Sequence, residues 1–206
     1  MKNNTAFMAK FSILLALEAI FCFTPLGSLP AIGPIVATLG MLPVIITALV
    51  LGTKAGTIMG FFAGTFSFIV WTFMPPSPIT AFLFTPFYSL GEFQGNFGSI
   101  LICFLPRILV GTVTGLAAAG FSKILKDKKY LPLAISAALG SLTNTFGVML
   151  GAWLFFGEQY SAIAGRAMLI VVAITVLTSG VPEALVSALI CPGVSIPLRQ
   201  LEKKGY

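Results

Sequence analysis

Charged residues are scarce in this chain, and that scarcity excludes a soluble protein. Of its 206 residues only 9% are charged and 57% are hydrophobic, and the mean hydropathy is +1.02. Soluble domains carry roughly 25% charged residues, because a globule needs a polar surface. A disordered chain is excluded as well, since disorder goes with low hydrophobicity and high charge. The sequence therefore predicts an all-α integral membrane protein with a single transmembrane domain over residues 1–206.

Histidine is absent, and acidic residues number only six. This composition offers no pattern for a metal site, a serine hydrolase or a relay of proton-carrying side chains. The Gly-Thr-Lys sequence at residues 52–54 lacks the upstream glycine of a phosphate-binding loop. The three cysteines, Cys22, Cys103 and Cys191, are widely spaced, and we expect reduced, buried thiols. The chain is thus expected to bind a ligand with no cofactor or metal of its own.

Apolar segments recur along the chain, and we predict six transmembrane helices, since a spanning helix takes about 20 apolar residues. The second segment is short and is interrupted by Gly40 and Pro43. The sixth is broken near Gly180 and Pro182, which predicts either one kinked span or a re-entrant piece followed by a span. The predicted helices lie at Thr5–Phe23, within Ile35–Leu51, at Ala55–Met74, within Ser99–Leu125, at Leu131–Phe156 and within Ala167–Pro192.

Basic residues predict the orientation of these helices. Ten of the twelve lysines and arginines fall at the chain ends and in two loops, on one side of the membrane if every helix spans once. Cytoplasmic loops are enriched in lysine and arginine, so we expect both termini in the cytoplasm and an even number of spans. Trp71 and Trp153 fall at the opposite helix ends, where interfacial tryptophans are common.

Two predicted outer loops differ from simple connectors. Thr24–Leu42 is neutral and rich in proline and glycine, and Pro75–Phe97 holds four prolines among aromatic residues. Loops this long inside compact proteins are typical of lids or binding loops.

Small residues recur four positions apart, which puts them on one face of a helix. Close packing within the bundle is one interpretation. Docking on another membrane protein is the alternative, and its best candidate is the face of the first helix that carries Ser12 and Ala16. The glycines with this spacing are Gly56, Gly60, Gly64, Gly111, Gly115, Gly147 and Gly151.

Ionisable side chains within spans are candidate ligand contacts, because each costs about 2.5–3.5 kcal/mol at the bilayer centre. Arg107 follows Pro106, and proline is favoured at the first position of a helix, so the fourth helix is expected to begin there. The Arg107 guanidinium then either holds a ligand carboxylate or reaches the headgroups or pairs with Glu92 or Glu158.

Other polar residues fall at a similar predicted depth. Asn144, beside Thr143, bonds either a neighbouring helix or a ligand. Glu183 binds ligand hydroxyls or meets Arg166, and Glu18 in the first helix has no assigned role. The pattern predicts a small outer pocket for a polar organic molecule with an acid group. Its candidate substrate-binding residues are Arg107, Asn144, Trp71, Phe84, Tyr88, Thr143 and Glu183.

Several short motifs, spread over most of the chain, match a known pattern. They are Leu42–Ile45, Leu51–Gly56, Gly60-Phe61, Ser77–Pro86, Phe104–Gly111, Gly140–Thr145 and Gly180–Ala184. The combination of Leu105–Ile108 (Leu-Pro-Arg-Ile) with Leu142–Thr145 (Leu-Thr-Asn-Thr) is the most specific part. Together these motifs resemble the substrate-binding S components of energy-coupling factor (ECF) vitamin transporters, and the pantothenate-type branch most.

This resemblance implies a compact six-helix bundle in a bacterial cell membrane, with a vitamin pocket near the extracellular side. It also implies a transmembrane coupling subunit and two cytoplasmic ATPases as partners, which would use the ATP. In the family an Ala-x-x-x-Ala face of the first helix docks on the coupling subunit, and here Ser12 and Ala16 occupy those positions. Ser179 stands where the family usually has asparagine.

The sequence therefore predicts a membrane subunit that captures a vitamin for ATP-driven uptake, with pantothenate as the first candidate. Pyridoxine, hydroxymethylpyrimidine or folate are alternative ligands. A stand-alone secondary transporter or channel is the alternative in another class. A membrane enzyme is disfavoured because the catalytic groups are missing.

Overall fold

Helices make up nearly all of the computed structural model, which describes residues 2–24, 39–91, 93–164 and 167–203. The helices and strands are α1 (Lys2–Phe23), α2 (Leu42–Leu51), α3 (Thr53–Phe73), β1 (Ser89–Leu90), β2 (Phe93–Gln94), α4 (Phe97–Ile124), α5 (Leu131–Ala164), α6 (Met168–Thr175) and α7 (Val181–Lys203). A π-helical turn, Val176–Gly180, joins α6 to α7, and a short 3-10 helix, Pro78–Leu83, precedes the antiparallel hairpin of β1 and β2.

Five helices of the described chain are long and apolar enough to cross a membrane, with α6 and α7 counted as one. α2 has only ten residues, so it is about 15 Å long, half the thickness of a bilayer's hydrocarbon core. The prediction of six spans is therefore not confirmed, whereas the shortness predicted for the second helix is.

α2 is packed inside the bundle. Its residues 42–50 are all buried. Gly52 follows with a φ of 93°, a backbone conformation that favours glycine, and the chain turns at once into α3. Arg199 of α7 donates from Nε to the carbonyl oxygen of Leu49 at 2.7 Å, and its Nη2 bonds the same oxygen. This cation satisfies a carbonyl at the end of α2 and ties α7 to it.

α3 and α4 pack through a row of glycines that we call the glycine seam. Its members are Gly56, Gly60 and Gly64 of α3 and Gly111 and Gly115 of α4. A Cβ atom added to Gly60 would fall on the Arg107 carbonyl, and one added to Gly111 would fall on the Gly56 carbonyl. The two backbones are therefore in direct contact, and the interpretation of these glycines as packing positions within the bundle is confirmed.

The start of α4 corrects the sequence prediction. The helix begins at Phe97, where the Asn96 side chain accepts from the Gly98 N–H at 2.7 Å and Ser99 Oγ accepts from the Asn96 N–H at 3.0 Å. This reciprocal cap starts the helix ten residues before Arg107. Pro106 is therefore inside α4, and Arg107 is not at a helix N-terminus.

The break at Gly180 and Pro182 is a kink within one helical run, not a re-entrant piece. The chain stays helical over residues 168–203, with the π turn placed before Pro182. α5 likewise continues past the predicted end at Phe156, where φ is −140° and the helix bends, and runs on to Ala164.

The loop after α3, predicted as an outer loop, packs into the bundle. Phe82 and Leu83 are fully buried, and Phe84 is nearly so. Ser99 Oγ donates to the Phe82 carbonyl at 2.7 Å, and Thr72 Oγ1 donates to Thr85 Oγ1 at 2.8 Å. These bonds fix the loop to the start of α4 and to the end of α3. Most of the other predicted outer loop, Thr24–Leu42, lies outside the described residues.

Candidate substrate-binding site

A cavity of about 120 Å³ lies between α3, α4, α5, the α6–α7 run and the ends of α1 and α2. It is roughly ten times the space that one water molecule needs, so it can hold a small organic molecule. Its polar side is formed by five residues that we call the polar wall. They are Arg107, Asn144, Thr175, Ser179 and Glu183.

Arg107 is the charged group of the polar wall, and only 7% of its surface is exposed. Pro106 has no N–H, so it cannot bond the carbonyl oxygen of Ile102 four residues earlier. Arg107 Nη1 donates to that freed oxygen at 2.8 Å, while Nε makes no hydrogen bond within the protein. The proline thus leaves an acceptor that holds one side of the guanidinium and leaves other donors available.

An aromatic pair forms the adjacent side of the cavity. The rings of Trp71 on α3 and Phe84 on the packed loop are stacked, with centroids 4.4 Å apart. The guanidinium carbon of Arg107 lies 5.2 Å from the centroid of Phe84, within the range of a cation–π contact. The loop therefore reaches the cavity through Phe84 and helps to position Arg107.

Besides Arg107 Nε, two polar atoms of the wall are buried without a hydrogen bond in the protein: Asn144 Oδ1 on α5 and Thr175 Oγ1 at the end of α6. A buried polar atom left without a partner costs about 1–3 kcal/mol. Atoms of this kind on a cavity surface are suited to a polar ligand or to water.

Three residues of the wall lie along the helical run that contains the π turn. Thr175, Ser179 and Glu183 are spaced by four, so they face the cavity in a row along the α6–α7 run. π turns widen a helix by one residue and are frequent at functional sites. Here the turn lies between the first and last residue of the row.

The structure brings five of the seven predicted binding residues to the cavity: Arg107, Asn144, Trp71, Phe84 and Glu183. Tyr88 and Thr143 do not line it, and the Thr143 hydroxyl donates to the Leu139 carbonyl of its own helix. Thr145, the residue after Asn144, lines the cavity instead of Thr143.

Several cavity residues were missed, and one of them had a signal in the sequence. Thr175 lies one and two helical turns before Ser179 and Glu183, and that spacing by four marks a polar stripe in an apolar segment. Cys22, Ser67 and Met149 carried no such signal.

Of the alternative partners predicted for Arg107 and Glu183, only Glu158 lies among the described residues. Glu158 is exposed on α5 beyond the bend at Phe156, and it does not line the cavity. Glu92 and Arg166 lie outside the described residues. Cys103 and Cys191 are buried free thiols, as predicted, whereas Cys22 is half-buried at the cavity. Over the described ranges, no three metal-ligating side chains are grouped together.

The face of α1 predicted to dock on a partner is exposed. Ser12 and Ala16 point away from the bundle, beside Ile13 with 64% of its surface exposed and Leu17 with 41%. The opposite face of α1 is buried through Leu14 and Glu18.

Comparison with known proteins identifies the family. Residues 6–195 match the family described as "ECF transporter, substrate-specific component". The chain therefore belongs to the substrate-specific components of ECF transporters, a family of transporter subunits rather than enzymes. It is accordingly a multi-pass membrane protein, as its hydropathy predicted.

Two curated relatives are pantothenate transporters. The chain is 29% identical to the pantothenic acid transporter PanT of Lactococcus lactis over 194 residues, which cover 94% of each chain. It is 30% identical to the pantothenate transporter PanT of Leuconostoc mesenteroides over 157 residues, which cover 72% of this chain and 68% of that one.

Two solved structures share the fold. ThiT from Listeria monocytogenes superposes with a TM-score of 0.63 at 17% identity, over 98% of this chain and 97% of that one. The S component for biotin from an ECF-type ABC transporter superposes with a TM-score of 0.60 at 14% identity, over 99% and 94%. The resemblance read from the motifs is thus confirmed at the level of the family and its fold.

Proposed function

We propose that this chain is the subunit that captures pantothenate for an ECF transporter. The observation that carries the proposal is the buried guanidinium of Arg107 in the wall of a partly aromatic cavity. A buried cation needs an anionic or strongly polar partner, and a guanidinium offers parallel donors to a carboxylate. The names of the two pantothenate-transporting relatives support the same ligand.

The other groups of pantothenate suit the rest of the cavity. The molecule has one carboxylate, one amide and two hydroxyls. In the proposed complex Arg107 holds the carboxylate, and Asn144, Thr175 and Glu183 are the partners for the amide and hydroxyl groups. The apolar carbons then lie against Trp71 and Phe84.

A direct test compares pantothenate with panthenol, in which a primary alcohol replaces the carboxylate. We expect the purified chain to bind pantothenate and to bind panthenol about 10–100-fold more weakly, since a hydrogen bond to a charged group contributes about 1.5–3 kcal/mol. Equal affinities measured by calorimetry would contradict the carboxylate assignment. Binding of pyridoxine, hydroxymethylpyrimidine or folate instead of pantothenate would contradict the ligand.

We also propose that the chain works with a transmembrane coupling subunit and two cytoplasmic ATPases, which use the ATP. The contacts of Thr53 with Gly115 and of Arg199 with Leu49 put Lys54, the lysines at residues 123–129 and Arg199 at one end of the bundle. We assign this basic end, with both termini, to the cytoplasm. The Ser12/Ala16 face of α1 is the proposed docking surface.

Reconstitution into liposomes tests this arrangement. We expect ATP-dependent pantothenate uptake only when the coupling subunit and ATPases are present. An Ala16→Leu change should reduce uptake and co-purification of the module without reducing pantothenate binding. The larger side chain obstructs close packing of the coupling subunit on α1 and leaves the cavity intact. Uptake by this chain alone would instead favour a secondary transporter.

A further inference from the structure

Pro106 lies inside α4, one residue before the charged group of the polar wall. It is buried, and its ring packs on α5, where a Cβ atom added to Gly147 would lie 3.0 Å from Pro106 Cβ. A proline inside a helix is unfavourable, because it removes one hydrogen bond and its ring clashes with the carbonyl four residues earlier. Residues that break a local rule in this way are expected at functional sites, so Pro106 points to a role beyond helix formation.

The carbonyl oxygen of Ile102 is the acceptor that the proline leaves without its helical donor. Arg107 Nη1 donates to this oxygen at 2.8 Å. Packing holds the acceptor in place, because the Ile102 side chain lies where a Cβ atom on Gly151 of α5 would fall. The guanidinium is therefore bound to a fixed point of the backbone before a ligand binds.

The same bond determines which edge of the guanidinium is left for a ligand. A guanidinium can offer two parallel donors to a carboxylate, from Nε with Nη2 or from Nη1 with Nη2. With Nη1 on the Ile102 carbonyl, the edge that contains Nε remains, and Nε is buried without a hydrogen bond in the protein. The Phe84 ring contacts the group as well, 5.2 Å from its carbon. A carboxylate at the Nε edge would meet donors that are already ordered.

We propose that Pro106 is a positioning residue for carboxylate recognition. Because it has no N–H to give to the Ile102 carbonyl, it fixes the Arg107 guanidinium with the Nε edge available to the carboxylate. This inference rests on the proposed function, in which Arg107 binds that carboxylate. Pro106 does not line the cavity, so it acts only through Arg107. Its contribution is an arginine side chain that is ordered in the empty protein and need not be ordered on binding.

Alanine at position 106 restores the helical N–H. The Ile102 carbonyl then accepts within the helix and is directed along its axis, so its bond from Arg107 weakens. Since binding must now order a long side chain, we expect Pro106→Ala to bind pantothenate about five- to tenfold more weakly. Panthenol has no carboxylate for the guanidinium and should lose less than about twofold. The ratio of the two affinities is the readout that a merely structural role would not change.

The test is calorimetry of pantothenate and panthenol binding to the purified full chain, with thermal unfolding of each preparation as the check of the fold. Pro197→Ala is the matched control. Pro197 also lies inside a helix, but it is exposed on α7 and does not line the cavity. Restoring a helical N–H there should leave both affinities as in wild type.

A third protein separates the missing N–H from the ring. It carries lactic acid, the hydroxy analogue of alanine, at position 106, introduced by nonsense suppression. The resulting ester has neither the N–H nor the proline ring, so the Ile102 carbonyl keeps Arg107 as its donor. We expect this protein to prefer pantothenate over panthenol as strongly as wild type does.

Each outcome decides the inference. Equal losses for the two ligands in Pro106→Ala overturn it and assign the effect to packing of the ring on Gly147. An unchanged affinity of Pro106→Ala for pantothenate overturns it too, and so does a lactic acid protein that behaves like Pro106→Ala. These results leave the proposed function standing, since wild type still prefers pantothenate. If wild type does not bind pantothenate, the proposed function fails and the inference falls with it.

A second measurement on wild type does not depend on a variant at position 106. The chain has three arginines, Arg107, Arg166 and Arg199, so isotope labelling of arginine gives a simple NMR spectrum. We expect separate, slowly exchanging Nη signals from Arg107 in the empty protein, absent from Arg107→Gln, because Nη1 is held by the Ile102 carbonyl. Averaged signals that become separate only after pantothenate is added overturn the inference, since the ligand would then order the guanidinium.

Discussion

The glycine seam and the polar wall meet in the same turn of α4, and they differ in how their atoms are used. The seam consists of backbone atoms in contact with each other, whereas the wall has side-chain atoms without a partner in the protein. On the seam, Gly60 of α3 lies against the backbone carbonyl of Arg107, and no side chain separates the two helices. On the wall, Arg107 Nε, Asn144 Oδ1 and Thr175 Oγ1 make no hydrogen bond within the protein. Backbone packing therefore fixes the position of a residue whose side chain remains available. The backbone of Arg107 thus packs against α3, while its side chain is free to contact a ligand.

A substitution on the seam should have the largest effect. Gly111→Ala adds a methyl group that falls on the Gly56 carbonyl, so the helices must separate, at a cost of about 3 kcal/mol or more. Gly120→Ala, on the same helix, meets no atom within 4 Å and should stabilise the protein by about 0.5–1 kcal/mol through helix propensity. Thermal unfolding in detergent measures both, and equal effects would contradict the seam.

A substitution on the wall should change binding and leave the fold intact. Asn144→Ala removes the amide that faces the cavity, and we expect pantothenate to bind about tenfold more weakly with unfolding unchanged. Thr143→Ala changes the neighbouring residue, whose hydroxyl bonds its own helix, and should alter affinity by less than about twofold. If both variants lose affinity equally, the cavity does not define the site.

The smallest effect is expected at Thr175. Thr175→Val replaces a hydroxyl that has no partner in the protein by a methyl group of similar shape, so the empty protein should gain up to about 1 kcal/mol of stability. Pantothenate affinity should fall by no more than about fivefold. Unfolding and calorimetry on one preparation measure both values, and a large loss of stability would show that the hydroxyl has a structural role.

Much of this fold was predictable because its signals are local. Apolar runs predicted the long helices, and the spacing of Gly56, Gly60 and Gly64 predicted a packed face. The shortness of α2 was predictable from Gly40 and Pro43, but its burial inside the bundle was not, since an apolar segment has the same composition in protein as in lipid. Pro106 misled the prediction of α4 because proline at a helix start and proline inside a helix look alike in sequence, and the cap at Asn96 distinguishes them.

The site was predictable in part for the same reason. Arg107 and Asn144 are conspicuous in apolar segments, and both reach the cavity. Tyr88 was chosen by its place in an aromatic loop, but which loop residue turns inward depends on the packing of residues 82–85. Glu18 could not be assigned, because its burial depends on how α1 packs against the rest of the bundle.

The central claim is that Arg107 binds the carboxylate of pantothenate, and a double cycle tests it most directly. The affinities of wild type and Arg107→Gln are measured for pantothenate and for panthenol, with glutamine chosen because it keeps a donor near the Ile102 carbonyl. The account predicts that the variant loses about 10–100-fold in affinity for pantothenate and less than about threefold for panthenol. Equal losses for the two ligands would contradict it.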